Sequence, residues 1–367
     1  MICSESRDYI YALLNLSTPI NIPIDYQLST SAIFAQATRQ ILQQDNSINI
    51  IFNLPYLHQI DRSQRPNIDT PSWVPRYGAF LSDGMFTRFL YFNAGGLIQE
   101  KRFMDQFDTQ DNDLVLQLNG YYGSKIEQAS PPFTQEASYE EMWETIMSLK
   151  SQLVQNSGSK PGRMWRKIRP YSHRINESAD RAELENFTFW NTLAMDLCPV
   201  GPYSYHRITG NRALSQYFRQ DIEKALSSNS ALPDKLIRLL HASLEGKKLC
   251  FLSGGQMALA NGDAELGDVL FIARGASVPL IIRPTDPSFR LGKRRADDPD
   301  PEFKFVGGAY MAGVMDGEVV QQMDKIPSMS KPIVCFGEDI KLWDSAINCS
   351  SVSRIVRVKL SLSQWSP

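Results

Sequence analysis

Apolar and polar residues follow two different rhythms along this chain, and the change falls near Gly246. Upstream, helical spacing dominates. Tyr9 to Leu14 predicts a short helix closed by Asn15, a residue that tolerates the left-handed conformation of helix ends. Ile33, Phe34, Ala37, Ile41 and Leu42 share one face of a helix expected from Thr30 to Gln44. Pro71-Ser72-Trp73-Val74-Pro75 excludes helix and predicts an extended, packed connector. Residues 85 to 130 read as β, with strands over Phe89–Gly96 and Leu114–Gly120 that stop at glycine, and a continuation to Ile126.

Helices return at Ser138, where Glu141 three residues on makes a capping box. The apolar face of that helix is Met142, Trp143, Ile146 and Leu153. A second helix is expected from Asp180, with Leu184, Phe187, Trp190, Leu193 and Leu197 on one side. Two more cover Ala213–Leu226 and Asp234–Leu244, with Gly246 as a C-terminal cap. From Lys248 the period becomes that of strands. Leu249–Leu252, Val269–Ala273, Val278–Ile282, Phe303–Val306 and Tyr310–Val314 are short, and Gly or Pro separates most of them. In the tail, Ile355–Leu360 is the best candidate for one more strand.

The pattern predicts an α+β fold, with helical segments packed against a small antiparallel β-barrel or sandwich at the C-terminal side. Three units follow: a helical and extended segment over 1–82, a short β segment plus helices over 83–246, and a β-rich unit over 247–367. With 43% apolar and 21% charged residues the chain is globular, and a net charge of −2 gives no global attraction to nucleic acid or membrane. No window approaches the roughly 18 apolar residues of a membrane span, and no signal peptide is visible. Cys3, Cys198, Cys250, Cys335 and Cys349 are odd in number and widely spaced, which argues against a disulfide framework or a zinc knuckle and for reduced thiols in the cytoplasm.

Candidate chemistry is sparse. Gly262-Asp263 and Gly267-Asp268 read as turns, since no EF-hand spacing accompanies them. Ser253-Gly254-Gly255-Gln256 lacks the Gly-Lys-Ser/Thr ending of a phosphate loop, and a strand follows it. His58, His173, His206 and His241 have no partner at metal-ligand spacing. A Cys198–His206 nucleophile and base is conceivable, but Cys198 follows the apolar face of a helix. Lys160, Arg163, Arg166, Lys167, Arg169 and Arg174 surround Trp165 and Tyr171 without an acid. That stretch fits an anion-binding surface, or a solvated loop balanced by Glu177, Asp180, Glu183 and Glu185.

Several strings fit one another. They are Ser6-Arg7-Asp8-Tyr9-Ile10-Tyr11-Ala12-Leu13-Leu14, Pro71–Pro75 with Trp73, Gly267-Asp268 with its following strand, Pro279–Pro284 with Arg283, and Val306–Glu318. The last holds Gly307, Tyr310, Gly313, Asp316, Gly317 and Glu318. In this order the set resembles the fungal heterokaryon incompatibility (HET) proteins, in the region downstream of their signature domain. Where that family has Glu, Cys and His in the last string, this chain has Gly308, Ala309 and Ala312, so a structural turn explains the loop better than chemistry. The family's upstream α/β domain, distantly similar to TIR domains, has hallmark strings that do not occur here.

The resemblance therefore implies a non-catalytic interaction or regulatory region of an incompatibility protein, truncated before the effector domain. It would act in non-self recognition and programmed cell death through protein partners, with no cofactor. The alternative is an enzyme of nucleotide- or NAD-hydrolase type with an unrecognised site. Arg7 and Asp8 are expected to be structural, with Asp8 placed where a helix start favours an acid.

Overall fold

A computed structural model describes residues 5–14, 22–45, 47–52, 71–75, 77, 91–96, 116, 118, 120–134, 138–156, 181–199, 205–207, 221–222, 224, 227, 232–253, 256–289, 302–324 and 359–360. The fold is α+β, with an antiparallel sheet that dominates the C-terminal half.

The first helix, α1, is shorter than expected, Asp8–Tyr11, and continues as a turn to Leu14. Helix α2 spans Thr30–Asp45, and its buried face holds Ile33, Phe34, Ala37 and Leu42 as the spacing predicts. A 3-10 turn follows at Asn49–Phe52. Pro71–Pro75 is packed but turned rather than extended, because the Val74 N–H bonds back to the Pro71 carbonyl at 3.0 Å. Residues 91–96 form turns, not the expected strand.

Strand β1 runs over Gly120–Ala129, so Gly120 starts the strand rather than stopping it. Helix α3, Tyr139–Asn156, opens on the predicted box: the Ser138 N–H donates to Glu141 Oε2 at 2.8 Å, and the Glu141 N–H to Ser138 Oγ at 3.2 Å. Two of the donors at the helix start are thereby satisfied. Ser138→Ala is expected to cost about 1 kcal/mol, read as a lower midpoint in urea unfolding. A shift of nothing would show that the box is redundant.

Helix α4 spans Arg181–Ala194, and the hairpin of β2 (Leu197–Pro199) and β3 (Tyr205–Arg207) follows it. Of the helix expected over Ala213–Leu226, residues 221, 222 and 224 are described and helical. Helix α5, Asp234–Leu244, ends at Gly246, whose φ of 69° is the left-handed cap the sequence predicts. The side chain of buried Lys247 turns back and donates to the Ser243 carbonyl at 2.7 Å, covering the end of this helix.

Strands β4 (Lys247–Leu252), β5 (Gln256–Asn261), β6 (Val269–Ala273), β7 (Leu280–Pro284) and β8 (Glu302–Tyr310) complete the sheet. The expected separate strand over Tyr310–Val314 is absent; β8 ends at Tyr310 and turns follow to Gly317. The order is β5-β4-β1-β6-β7-β8, and β5 also pairs with β8 through Leu259–Tyr310 and Ala260–Ala309. Six strands thus pair around a ring, with β1 from the middle of the chain inserted between β4 and β6. Every residue of β5 and β6 is buried, so these strands are covered on both faces. Helix α4 packs against β5.

Three segments cover the outer edge of β8, where unpaired backbone would otherwise invite association. Strand β9, Lys359–Leu360 within the predicted tail strand, pairs parallel with Glu302 and Phe303. Ser72 Oγ accepts from the Phe305 N–H at 2.9 Å, and β5 pairs at the far end. Helix α6, Glu318–Asp324, follows the ring. No described helix is long and apolar enough to cross a membrane.

Candidate functional site

Among the described residues, a group of ionisable side chains gathers where α4, the β2–β3 hairpin and the β8–α6 connection meet. It begins with a helix end. The Met195 N–H bonds to the Thr192 carbonyl at 3.3 Å and the Asp196 N–H to the Asn191 carbonyl at 3.1 Å, the two bonds of a Schellman motif. The left-handed positions are Met195 at φ 55° and Asp196 at φ 53°, with no glycine in either. A non-glycine pair in this region carries backbone strain. Its effect is to swing the chain straight into β2 at Leu197.

The hairpin register sets Leu197 opposite Arg207, so Arg207 arrives beside the same turn. Its guanidinium forks onto Asp316, Nη1 to Oδ1 and Nη2 to Oδ2 at 2.9 Å, and lies 4.7 Å from the centre of the Phe92 ring. Phe92 in turn packs at 5.6 Å from Tyr310. The Asp316 N–H donates to Glu318 Oε2 at 2.7 Å, and the Asn93 N–H donates to the Met315 carbonyl at 2.8 Å. Gly317 has φ 79°, and a Cβ there would lie 3.2 Å from Gly96 Cα, so glycine lets this turn lie against residues 93–96.

One guanidinium therefore faces three carboxyl groups. Burial pushes the Asp196 carboxyl up to about 6, with Asp316 and Glu318 adding to the rise and Tyr310 and Arg207 opposing it. Burial likewise raises Glu318, whose Oε1 is buried with no hydrogen-bond partner among the described residues. Chemically the cluster can hold or release a proton and fasten three elements together. It presents no activated nucleophile, and no group of three or more metal-ligating side chains occurs among the described residues.

The family-motif residues fall in separate places. Arg7 donates to the Tyr26 and Leu28 carbonyls, Tyr26 donates to Asp8 Oδ1 at 2.7 Å, and Tyr11 donates to the Asp25 carbonyl at 2.8 Å. These tie α1 to residues 25–28. Trp73 is fully buried. Gly267 makes a turn at φ 89°, and the buried Asp268 carboxylate pairs with the partly exposed Arg283. Gly307 lies on β8 against Asn261, where a Cβ would sit 2.6 Å from the Asn261 side chain. Tyr310, Gly313, Asp316, Gly317 and Glu318 belong to the cluster or its turn. Asp196 and Arg207 were not singled out from sequence. The only local signal for them is a helix that ends into a strand without glycine.

Cys198 and His206 are directly opposite in the hairpin. Cys198 is buried and burial pushes its thiol up, the reverse of what a thiolate nucleophile needs. Lys160, Arg163, Arg166, Lys167, Arg169 and Arg174 lie outside the described residues, as do His58 and His173.

Comparison with known proteins agrees with this architecture. Residues 219–327 match the Het-6 beta-barrel domain. The chain is also similar to heterokaryon incompatibility protein 6, OR allele, of Neurospora crassa, with 22% identity over 361 residues, 88% of this chain and 50% of the relative. It thus spans about half the length of that curated relative. No solved structure matches it. Residues 219–327 thus carry a Het-6 beta-barrel domain, and the chain as a whole resembles a heterokaryon incompatibility protein.

Proposed function

We propose that this chain is a non-catalytic interaction or regulatory region of a heterokaryon incompatibility protein, working in non-self recognition and cell death through protein partners in the cytoplasm. The observation that carries the reading is its likeness to the Neurospora crassa incompatibility protein over 88% of the chain. The chemistry of the described groups supports it. The carboxylates are engaged in ion pairs, helix starts and turns, and hydrolysis of a glycosidic bond needs a positioned carboxylate beside a substrate pocket. A depression among the described residues, lined by Glu127, Ser130, Lys248 and Leu266 among others, is shallow and open.

Two measurements test the reading. Deleting the gene in its fungal host should turn at least one incompatible pairing with another isolate into a compatible one. Unchanged outcomes in every pairing would refute the assignment to non-self recognition. Purified protein incubated with NAD should give no product above a heat-inactivated control by chromatography. Turnover would establish the NAD-hydrolase alternative instead.

A further inference from the structure

The connection between β5 and β6 projects an apolar side chain from a rigid base. Leu266, 67% exposed, is the most exposed large apolar residue among those described. Its chain neighbours are pinned. The Glu265 N–H donates to Asp268 Oδ2 at 2.8 Å, and the Asp268 N–H donates to the Glu265 carbonyl at 3.2 Å. The Gly267 N–H donates to the Ile126 carbonyl at 2.8 Å. Arg283 Nη2 holds the Asp263 carbonyl and Lys248 Nζ the Ala264 carbonyl, each at 2.9 Å. Leu266 therefore stands out from the surface without the entropy that a free loop would lose on binding.

Beside it lies the shallow hollow between the end of β1 and this connection, about 680 Å³ in volume and lined by Glu127, Ala129, Lys248, Ala264 and Leu266 among others. One surface thus carries both a projecting leucine and a recess partly walled by alanines. Its charges come in both signs. Glu265 is paired with Arg283 at 3.1 Å. Glu127 is exposed, and Lys248 spends one of its three N–H donors on Ala264. A phosphate backbone or an anionic lipid surface would require cations alone. A knob, a recess, an acid and a base side by side fit a second copy of the same surface, because a two-fold axis brings each feature to its counterpart.

We propose that this corner is a self-association surface that joins two copies of the chain about a two-fold axis. Leu266 of each copy fills the recess of the other, and Glu127 of each meets Lys248 of the other. The hollow takes a few side chains, against the roughly 20–30 residues a side of a stable interface, so the association is reversible, with a dissociation constant in the micromolar range. The leucine sits at the centre of the contact, where truncation costs most. Leu266→Asp should weaken dimerisation at least roughly tenfold. Leu266 is exposed in the single chain, so this variant should melt with the parent.

The test is sedimentation equilibrium of the full chain over roughly 1–100 μM. The parent should pass from monomer to dimer across that range, and Leu266→Asp should remain monomeric. Glu127→Lys and Lys248→Glu should each associate more weakly than the parent, because like charges then face each other. An equal mixture of these two variants should regain the parent's association, since both contacts of the mixed dimer again pair opposite charges. A parent that stays monomeric throughout overturns the proposal, even if a different protein fills the recess. A dimer that Leu266→Asp leaves intact uses another surface and overturns it too. A mixture no tighter than its parts overturns the two-fold arrangement and the proposal with it. Should Lys248→Glu fail to fold, Leu266→Asp decides alone. Purified protein is all that is measured, so the outcome is independent of the fungal pairing test.

Discussion

Replacing Arg283 by Met is expected to destabilise the fold by about 2–3 kcal/mol. Asp268 is 1% exposed, and its carboxylate accepts from Arg283 Nε at 2.7 Å, from Arg283 Nη2 at 3.0 Å and from the Glu265 N–H at 2.8 Å. The same guanidinium donates to the Asp263 carbonyl at 2.9 Å. One side chain on β7 thus fastens the whole connection between β5 and β6. Burial raises the Asp268 carboxyl even with Arg283 beside it, so desolvation outweighs the attraction. Removing the cation leaves the desolvation and takes away the compensation. Breaking such a pair costs about 3–5 kcal/mol when it is fully buried. Arg283 is one-third exposed, so water reaches the site and the loss falls to the foot of that range or below it, at about 2–3 kcal/mol.

Three controls sharpen the expectation. Glu265→Ala should cost little, because Glu265 is 64% exposed and exposed pairs contribute weakly. The double variant Arg283→Met with Asp268→Asn should recover part of the loss, as a double-mutant cycle would show. The deficit of Arg283→Met should also narrow as the pH falls from neutral toward about 5. A carboxyl with a raised folded value regains stability when protonated, and losing Arg283 raises it further. Urea unfolding at each pH measures all of this. A single-variant loss under about 0.5 kcal/mol would mean that water already does the work assigned to the guanidinium.

The parts of this fold legible from sequence are those whose cause is local. Helix α2 follows from the spacing of Ile33, Phe34, Ala37 and Leu42, the start of α3 from Ser138 and Glu141, and β6 from an apolar run between glycines. The misread parts depend on distant partners. Gly120 looked like a strand stop because glycine often is one, yet here it starts β1 opposite Ala273, over a hundred residues away. Gly307 and Gly308 looked like a break between two strands. Instead Gly307 lets β8 pass close to Asn261 and continue to Tyr310.

The cluster shows the same division. Tyr310, Asp316 and Glu318 stood out through a family string, which marks positions without assigning them a task. Arg207 lies 109 residues from the Asp316 it binds, and no periodicity links the two. Asp196 reads as an ordinary acid after a helix. Only the fold reveals that it faces Tyr310, Arg207 and two further carboxyl groups.

Gly120→Ala should be at least as damaging as the loss of Arg283, at about 3 kcal/mol, and the reason is steric rather than electrostatic. A Cβ at Gly120 would lie 2.3 Å from the Ile272 carbonyl oxygen, 2.6 Å from Phe271 Cζ and 2.8 Å from Ala273 Cα. Two of these neighbours are backbone, and β6 is held on both sides, by β1 and by β7, so neither can step aside. The strand must back away, which breaks the first pairing of β1 with β6. Gly267→Ala is the contrast. Its φ is 89°, but nothing lies within 4 Å of the added carbon, so it should lose only the left-handed penalty of roughly 1–2 kcal/mol. Thermal melts of the two variants beside the parent decide the matter. Should Gly120→Ala melt with the parent while Gly267→Ala does not, the close approach of β1 to β6 at Gly120 would be wrong. The paired stretch would then begin at Tyr121, and the ring would owe less to a glycine than its geometry indicates.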